Sequence, residues 1–274
     1  MAMKLSCIPV SFFQAIAERR MSIAGWLDFA AELGLEGVEC APPVIQPLGP
    51  VTPGEFRRLA EERRLAVSNY TGYSDLTHPD PAVREREVAA LAGNVRIARE
   101  LGAPSLRALT GQQRPETTVA DGIGWVVEGI RRAAEEADSL GLRLNIENHT
   151  KAFTWTAFDF AIHGEVFLAI MDKLRDCPVG VQFDIANPLV AGEDPLSLFE
   201  QLRDRIRYVH VNDVRRPGAF EFVVAGTGIA PIQEVLKRLA EQGYAGWVGI
   251  EEASRTGQDG FRQAVSFTRP LLAR

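Results

Sequence analysis

A regular alternation constrains this chain more than any other feature: short β-branched or apolar runs take turns with longer segments of helical period, from one end to the other. The runs that read as strands are Lys4–Val10, Gly37–Cys40, Ala66–Thr71, Ser105–Gly111, Arg143–His149, Val179–Ala186, Ile206–Asp213 and Gly246–Glu252. The segments Ile23–Leu33, Glu55–Arg64, Ala82–Leu101, Thr118–Leu140, Val166–Arg175, Leu196–Leu202, Ile229–Gln242 and Gly257–Leu271 carry apolar residues at steps of three and four, the period of a helix with one buried face. Strand followed by helix, repeated, predicts βα units around a parallel sheet. Eight such units are what a closed (β/α)8 TIM barrel requires, and 274 residues is an ordinary length for one such domain spanning 1–274. Gly34, Gly102, Gly141 and Gly243 each follow a helical segment, where a left-handed cap needs no Cβ.

The rival architecture, an open doubly wound sheet, would show a Gly-rich first turn. Here that turn reads VSFFQAIAERR, without a GxGxxG phosphate cradle. The later Gly226-Thr227-Gly228 precedes a helix and reads as a turn rather than an anion site. A formal net charge of −6 gives no electrostatic reason to expect DNA or RNA as a partner, so a small neutral or weakly charged substrate fits better. Cys7, Cys40 and Cys177 are an odd number without metal-ligand spacing, which argues against a disulfide framework or a zinc knuckle. The opening MAMKLSCIPVSFFQ is too short, and too broken by Pro9, for a signal peptide or a membrane span. The expected location is therefore the cytoplasm, with no membrane partner.

Polar residues stand at the C-terminal ends of otherwise apolar strands: Glu147 in LNIENH, Asp184 in GVQFDIAN, His210 in RYVHVND and Glu251 in WVGIEE. In a parallel barrel those ends converge on one mouth, where active sites lie. Taken singly, each is more often a cap, a surface charge or a hydrogen-bonded core group. Jointly, three carboxylates and an imidazole form a mostly oxygen donor set that suits one divalent ion, with Mn²⁺ first and Mg²⁺, Co²⁺ or Zn²⁺ as alternatives. Left without a cation, buried carboxylates repel one another and their pKa values rise. Period-two alternation predicts that Asn145 and His149 share the inward face with Glu147, Asn212 with His210, and Gln182 with Asp184; Gly249 leaves room below Glu251.

LNIEN, FDIANPLVAGEDP, YVHVND and WVGIEE, in that order and with helices between them, resemble the sugar phosphate isomerase/epimerase family of xylose isomerase-like TIM barrels, which includes ketose 3-epimerases, hydroxypyruvate isomerase and inosose dehydratase. The resemblance runs from AAELGLEGVE to the final helix and is most specific over residues 143–252. It implies metal ligands at Glu147, Asp184, His210 and Glu251, with the two glutamates as acid and base on opposite faces of a substrate. The epimerase motif has a histidine three residues after the metal-binding aspartate. Here Asn187 stands there, able to meet a substrate hydroxyl but unable to titrate.

The function expected on these grounds is a divalent-metal-dependent sugar isomerase or epimerase, moving a proton on a keto-sugar through a metal-stabilised enediolate. The alternative is a dehydratase or lyase acting on an inosose or a 3-keto-glycoside, with His149 as general acid for the leaving group; its bland counterpart is a residue that orients a ligand. A DNA repair nuclease resembling endonuclease IV is a third reading. Against it stand the acidic charge, Asn187, and a complement of only four histidines where that enzyme's trinuclear zinc cluster is rich in them. Arg107 and Arg215 are candidates to grip substrate oxygens, and Trp155 with Phe153 to roof the site against a sugar face. A homodimer or homotetramer is compatible with such a barrel.

Overall fold

The computed structural model describes residues 2–272. Eight strands, all parallel, close on one another: β1 (Lys4–Ile8), β2 (Gly37–Cys40), β3 (Ala66–Tyr70), β4 (Ser105–Ala108), β5 (Arg143–Glu147), β6 (Val179–Asp184), β7 (Ile206–Val211) and, after a small hairpin, β10 (Trp247–Glu251). Each pairs with its sequence neighbour, and β10 closes the ring against β1, with Ser6 opposite Gly249 and Ile8 opposite Glu251. This is a (β/α)8 TIM barrel. The principal helices lie at Ile23–Glu32, Pro53–Glu61, Pro81–Leu101, Val119–Ser139, Gly164–Lys173, Pro195–Leu202, Ile232–Glu241 and Gln258–Leu272, where the apolar periodicity predicts them. Val119–Ser139 shows the reason: Ile123, Val126, Ile130, Ala133 and Ala137 are buried on one face, and Thr118 caps the start by accepting the Asp121 N–H. Gly34, Gly102, Gly141 and Gly243 all adopt the left-handed conformation, at φ of 67, 70, 70 and 78°.

The barrel lumen is polar rather than filled with branched aliphatics. Tyr208 on β7 hydrogen-bonds Ser6 on β1 and Ser68 on β3 at 2.7 and 2.9 Å, and Asn69 on β3 reaches Gln182 on β6 at 2.9 Å. Ser68 and Asn69 are consecutive, so a regular strand would send them to opposite faces. A register shift between β2 and β3, where Val38 pairs with Val67 but Glu39 with Asn69, re-aims the strand and lets both contribute to this network.

Several strands end earlier than their apolar runs predict. β5 stops at Glu147 and β4 at Ala108, because beyond the rim side chains replace ladder partners. Asn148 illustrates this: its Oδ1 accepts the Asp184 N–H at 2.9 Å and its Nδ2 donates to the Asp184 carbonyl at 2.9 Å, tying the end of β5 to that of β6. His149 therefore lies on a loop, and strand alternation does not place it. After β7 the chain makes a two-stranded antiparallel hairpin, β8 (Asp213–Val214) with β9 (Phe222–Val223), that the sequence pattern does not signal. Gly226-Thr227-Gly228 is a turn closed on the chain itself: the Asp213 carboxylate accepts the N–H groups of Val214, Gly226, Gly228 and Ala230 at 2.9–3.0 Å. No helix among the described residues is long and apolar enough to cross a membrane.

Candidate metal centre

Glu147, Asp184 and Glu251 are the last residues of β5, β6 and β10, and His210 is the penultimate residue of β7. The barrel brings all four together: one potential ligand atom from each lies within 4.8 Å of the others. Two bonds of ~2.1 Å to a common ion span at most ~4.2 Å, so small side-chain adjustments close the gap. His210 is the hub. Its Nδ1 lies 2.7 Å from Glu147 Oε1 and 2.9 Å from Glu251 Oε2, while its Nε2 lies 3.0 Å from Glu39 Oε2.

The donor set fits a dication on a specific observation. Asp184 Oδ2 is buried and lacks any hydrogen-bond partner, and Glu251 Oε2, though 2.9 Å from His210 Nδ1, makes no well-aligned hydrogen bond, although unpaired buried carboxylate oxygens are costly. Asp184 is otherwise held rigidly, its Oδ1 accepting the N–H groups of Ala186 and Asn187 at 2.8 and 2.7 Å. That leaves one free oxygen at a fixed place. Burial, reinforced by the charges of Glu251 and Glu147, pushes the Asp184 carboxyl well above its usual range, as the crowding of anions requires.

Glu147 behaves oppositely. Burial alone would raise its pKa, but the charges of Arg107 and His210 outweigh that and hold it well below the usual carboxylate range. Arg107 Nη1 donates to Glu147 Oε2 at 2.6 Å and its Nε to the Gly72 carbonyl at 3.2 Å, with the guanidinium 5.4 Å from the Tyr73 ring centre. The chain thus supplies part of the countercharge itself. The imidazole of His210 is pushed well above its ordinary value, since the carboxylates of Glu39 and Glu147 overcome the effect of burial.

The remaining residues named from the sequence fall into three situations. Asn187 begins a helical turn and donates Nδ2 to the Asn148 carbonyl at 3.1 Å, so it braces Asp184. His149 and Trp155 are buried beside the centre, their rings 6.0 Å apart and edge to face, and His149 Nδ1 lies 3.7 Å from Asp159 Oδ2. Arg215 is in neither position: 64% of its side chain is exposed and it pairs with Glu221 at 2.6 Å along the hairpin. Phe153 is also 64% exposed and meets the Tyr73 ring edge to face, with ring centres 5.7 Å apart. The site residues that sequence reasoning passed over are Glu39, Asn148, Tyr73 and Asp159. A glutamate inside the four-residue apolar strand GVEC is a signal for Glu39; nothing local marks Asp159.

Comparison with known proteins agrees with this geometry. The family described as xylose isomerase-like TIM barrel matches residues 27–271. The chain belongs to that family. Among curated xylose isomerase-like relatives, an inosose dehydratase of Lacticaseibacillus casei is 27% identical over 139 residues, covering 45% of this chain and 44% of the dehydratase. The match thus spans less than half the length of that relative. Of solved structures, an L-ribulose 3-epimerase superposes with a TM-score of 0.80 at 16% identity, covering 99% of this chain and 95% of the epimerase. A probable 3-DHS dehydratase of Bacillus anthracis superposes with a TM-score of 0.77 at 16% identity, covering 97% and 99%. At such identities these structures speak to the barrel fold alone.

Proposed function

We propose that this chain is a divalent-metal-dependent enzyme that moves a proton at a carbon beside the carbonyl of a small polyhydroxylated ketone, with isomerisation or epimerisation as the outcome. One observation carries the reading. Four potential ligand atoms meet at the C-terminal mouth of the barrel, and the Asp184 carboxylate there keeps a buried oxygen with no partner from the protein. Glu147, Asp184, His210 and Glu251 would hold the ion, and their oxygen-rich composition favours Mn²⁺ over the thiophilic metals. The ion, when bound, supplies Lewis-acid polarisation of the substrate's carbonyl and neighbouring hydroxyl.

The protein's own part divides between the two glutamates. Glu147 is fully buried and paired with Arg107, which keeps it ionised and fixed. Glu251 has 17% of its side chain exposed and an Oε2 without a well-aligned hydrogen bond, so it is the carboxylate free to take a substrate proton and return it to the neighbouring carbon in isomerisation. Inversion at one carbon needs Glu147 as a second proton carrier on the opposite face. Trp155 and Tyr73, which share a small apolar cluster with Leu109 and Ala152, help keep water from that proton. Asn187 and Asn148 hold Asp184 in place during the transfer.

A second reading, dehydration of an inosose or elimination from a 3-keto-glycoside, is favoured by His149. Its Nδ1 lies 3.7 Å from the buried carboxylate of Asp159, itself bonded to Thr110 and to the Ala161 N–H, so a carboxylate stands ready to orient the buried imidazole. Such a group can deliver a proton to a departing oxygen. The deciding experiment incubates Mn²⁺-loaded protein in D₂O with ketoses, inososes and 3-keto-glycosides and reads products by NMR. Deuterium beside the carbonyl with the skeleton intact supports isomerisation or epimerisation, and loss of water or of an aglycone supports elimination. No exchange with any of them, by protein shown to contain metal, sinks both readings.

A further inference from the structure

Glu39 is a fully buried carboxylate that belongs to no part of the four-residue cluster. A buried anion persists only where its surroundings are built for it, and here they are. Both oxygens face His210 Nε2, at 3.1 and 3.0 Å; Thr71 Oγ1 donates at 2.7 Å and Asn69 Nδ2 approaches at 3.4 Å. The register shift between β2 and β3 brings Asn69 opposite Glu39. On β10, which flanks β1 opposite β2, Gly249 lacks the Cβ that would overlap Glu39 Oε1. The Tyr208 ring meets the His210 ring edge to face at 5.8 Å and limits its tilt.

A neutral imidazole has one N–H and one lone pair, and the hydrogen bond made by one nitrogen decides which of the two can bind a metal. We infer that Glu39 is the positioning residue of the metal centre: it accepts the Nε2–H of His210 and so reserves Nδ1, the nitrogen facing Glu147 and Glu251, for a divalent cation. The inference rests on the metal-site reading above. It also gives Gly249 a purpose, because a side chain there would push Glu39 off His210.

The test titrates Mn²⁺ into metal-stripped full-length wild type, Glu39→Ala, Glu39→Gln and Gly249→Ala by calorimetry, with far-UV circular dichroism to show that each is folded. Loss of a group that orients a metal ligand typically weakens the metal about 10–100-fold. That loss is expected for Glu39→Ala and Gly249→Ala, and a smaller one for the near-isosteric Glu39→Gln, which keeps an acceptor oxygen without the charge. In Zn²⁺-loaded, ¹⁵N-histidine-labelled wild type, His210 should show a proton bonded to Nε2 and none to Nδ1. Folded Glu39→Gln and Glu39→Ala proteins that bind Mn²⁺ within about threefold of wild type, or a His210 that carries its proton on Nδ1, overturn the inference while leaving the metal site standing. Wild type that takes up no divalent ion overturns the metal site and this inference together.

Discussion

Replacing Arg107 with methionine isolates the electrostatic balance of the centre. Arg107 and Glu147 form an ion pair at 2.6 Å with 3% and 0% of their side chains exposed, so the substitution strands a carboxylate in a region that already holds Glu39, Asp184 and Glu251. Breaking a buried pair from one side costs about 3–5 kcal/mol. With an unfolding entropy of ~2.1 cal/mol/K per residue, the 274-residue chain has ~0.6 kcal/mol/K at its midpoint, so the metal-free variant should melt about 5–9 °C below wild type. Adding Mn²⁺ should narrow that gap, because a dication replaces the missing countercharge. The double variant Arg107→Met with Glu147→Gln, which removes the stranded charge, should recover much of the loss in EDTA. Differential scanning fluorimetry with EDTA or Mn²⁺ reads all of these. A fall of less than about 2 °C for the single variant, or a double variant no more stable than the single, would refute the view that Arg107 is the chain's own counterion for Glu147.

Other consequences follow from the loops. Asp213→Ala leaves the N–H groups of Val214, Gly226, Gly228 and Ala230 without their acceptor, and should lower stability by about 2–4 kcal/mol in urea unfolding. Burial raises the Asp75 carboxyl, but hydrogen bonds from Arg114 and Gln112 outweigh it and depress its pKa below the usual 3.8. Its stabilisation is therefore complete above about pH 4 and is lost as pH falls through the lower folded value, so Asp75→Asn should flatten the acid limb of a Tm-against-pH profile; an unchanged limb contradicts this. Trp155→Ala empties the small cluster against which His149 rests and should reduce turnover in the D₂O assay, whereas Phe153→Ala, at an exposed position, should change stability by less than about 0.5 kcal/mol. Equal effects of the two would show that the loop acts as an undifferentiated lid.

The barrel was legible because its signals are local. Period-two runs, period-3.6 segments and glycines at helix ends depend on residues a few positions apart, and each element is found where the pattern puts it, save that several strands stop short at the rim. The four cluster residues were legible for a related reason: parallel topology carries every strand end to one mouth, so polar residues at those ends must meet. What each does at the mouth was decided elsewhere. Arg107 and Asn187 read from the sequence as substrate contacts; only the fold shows that Arg107 pairs with Glu147 and that Asn187 braces the loop around Asp184. Arg215, four residues beyond the end of β7, is carried off by a hairpin with no sequence mark. Glu39 and His210 stand 171 positions apart and touch only because a closed sheet folds its lumen inward. Periodicity assigns a side chain to a face; which partner it meets across that face depends on register, bulges and the curvature of the whole ring, and these exist only once the strands have paired.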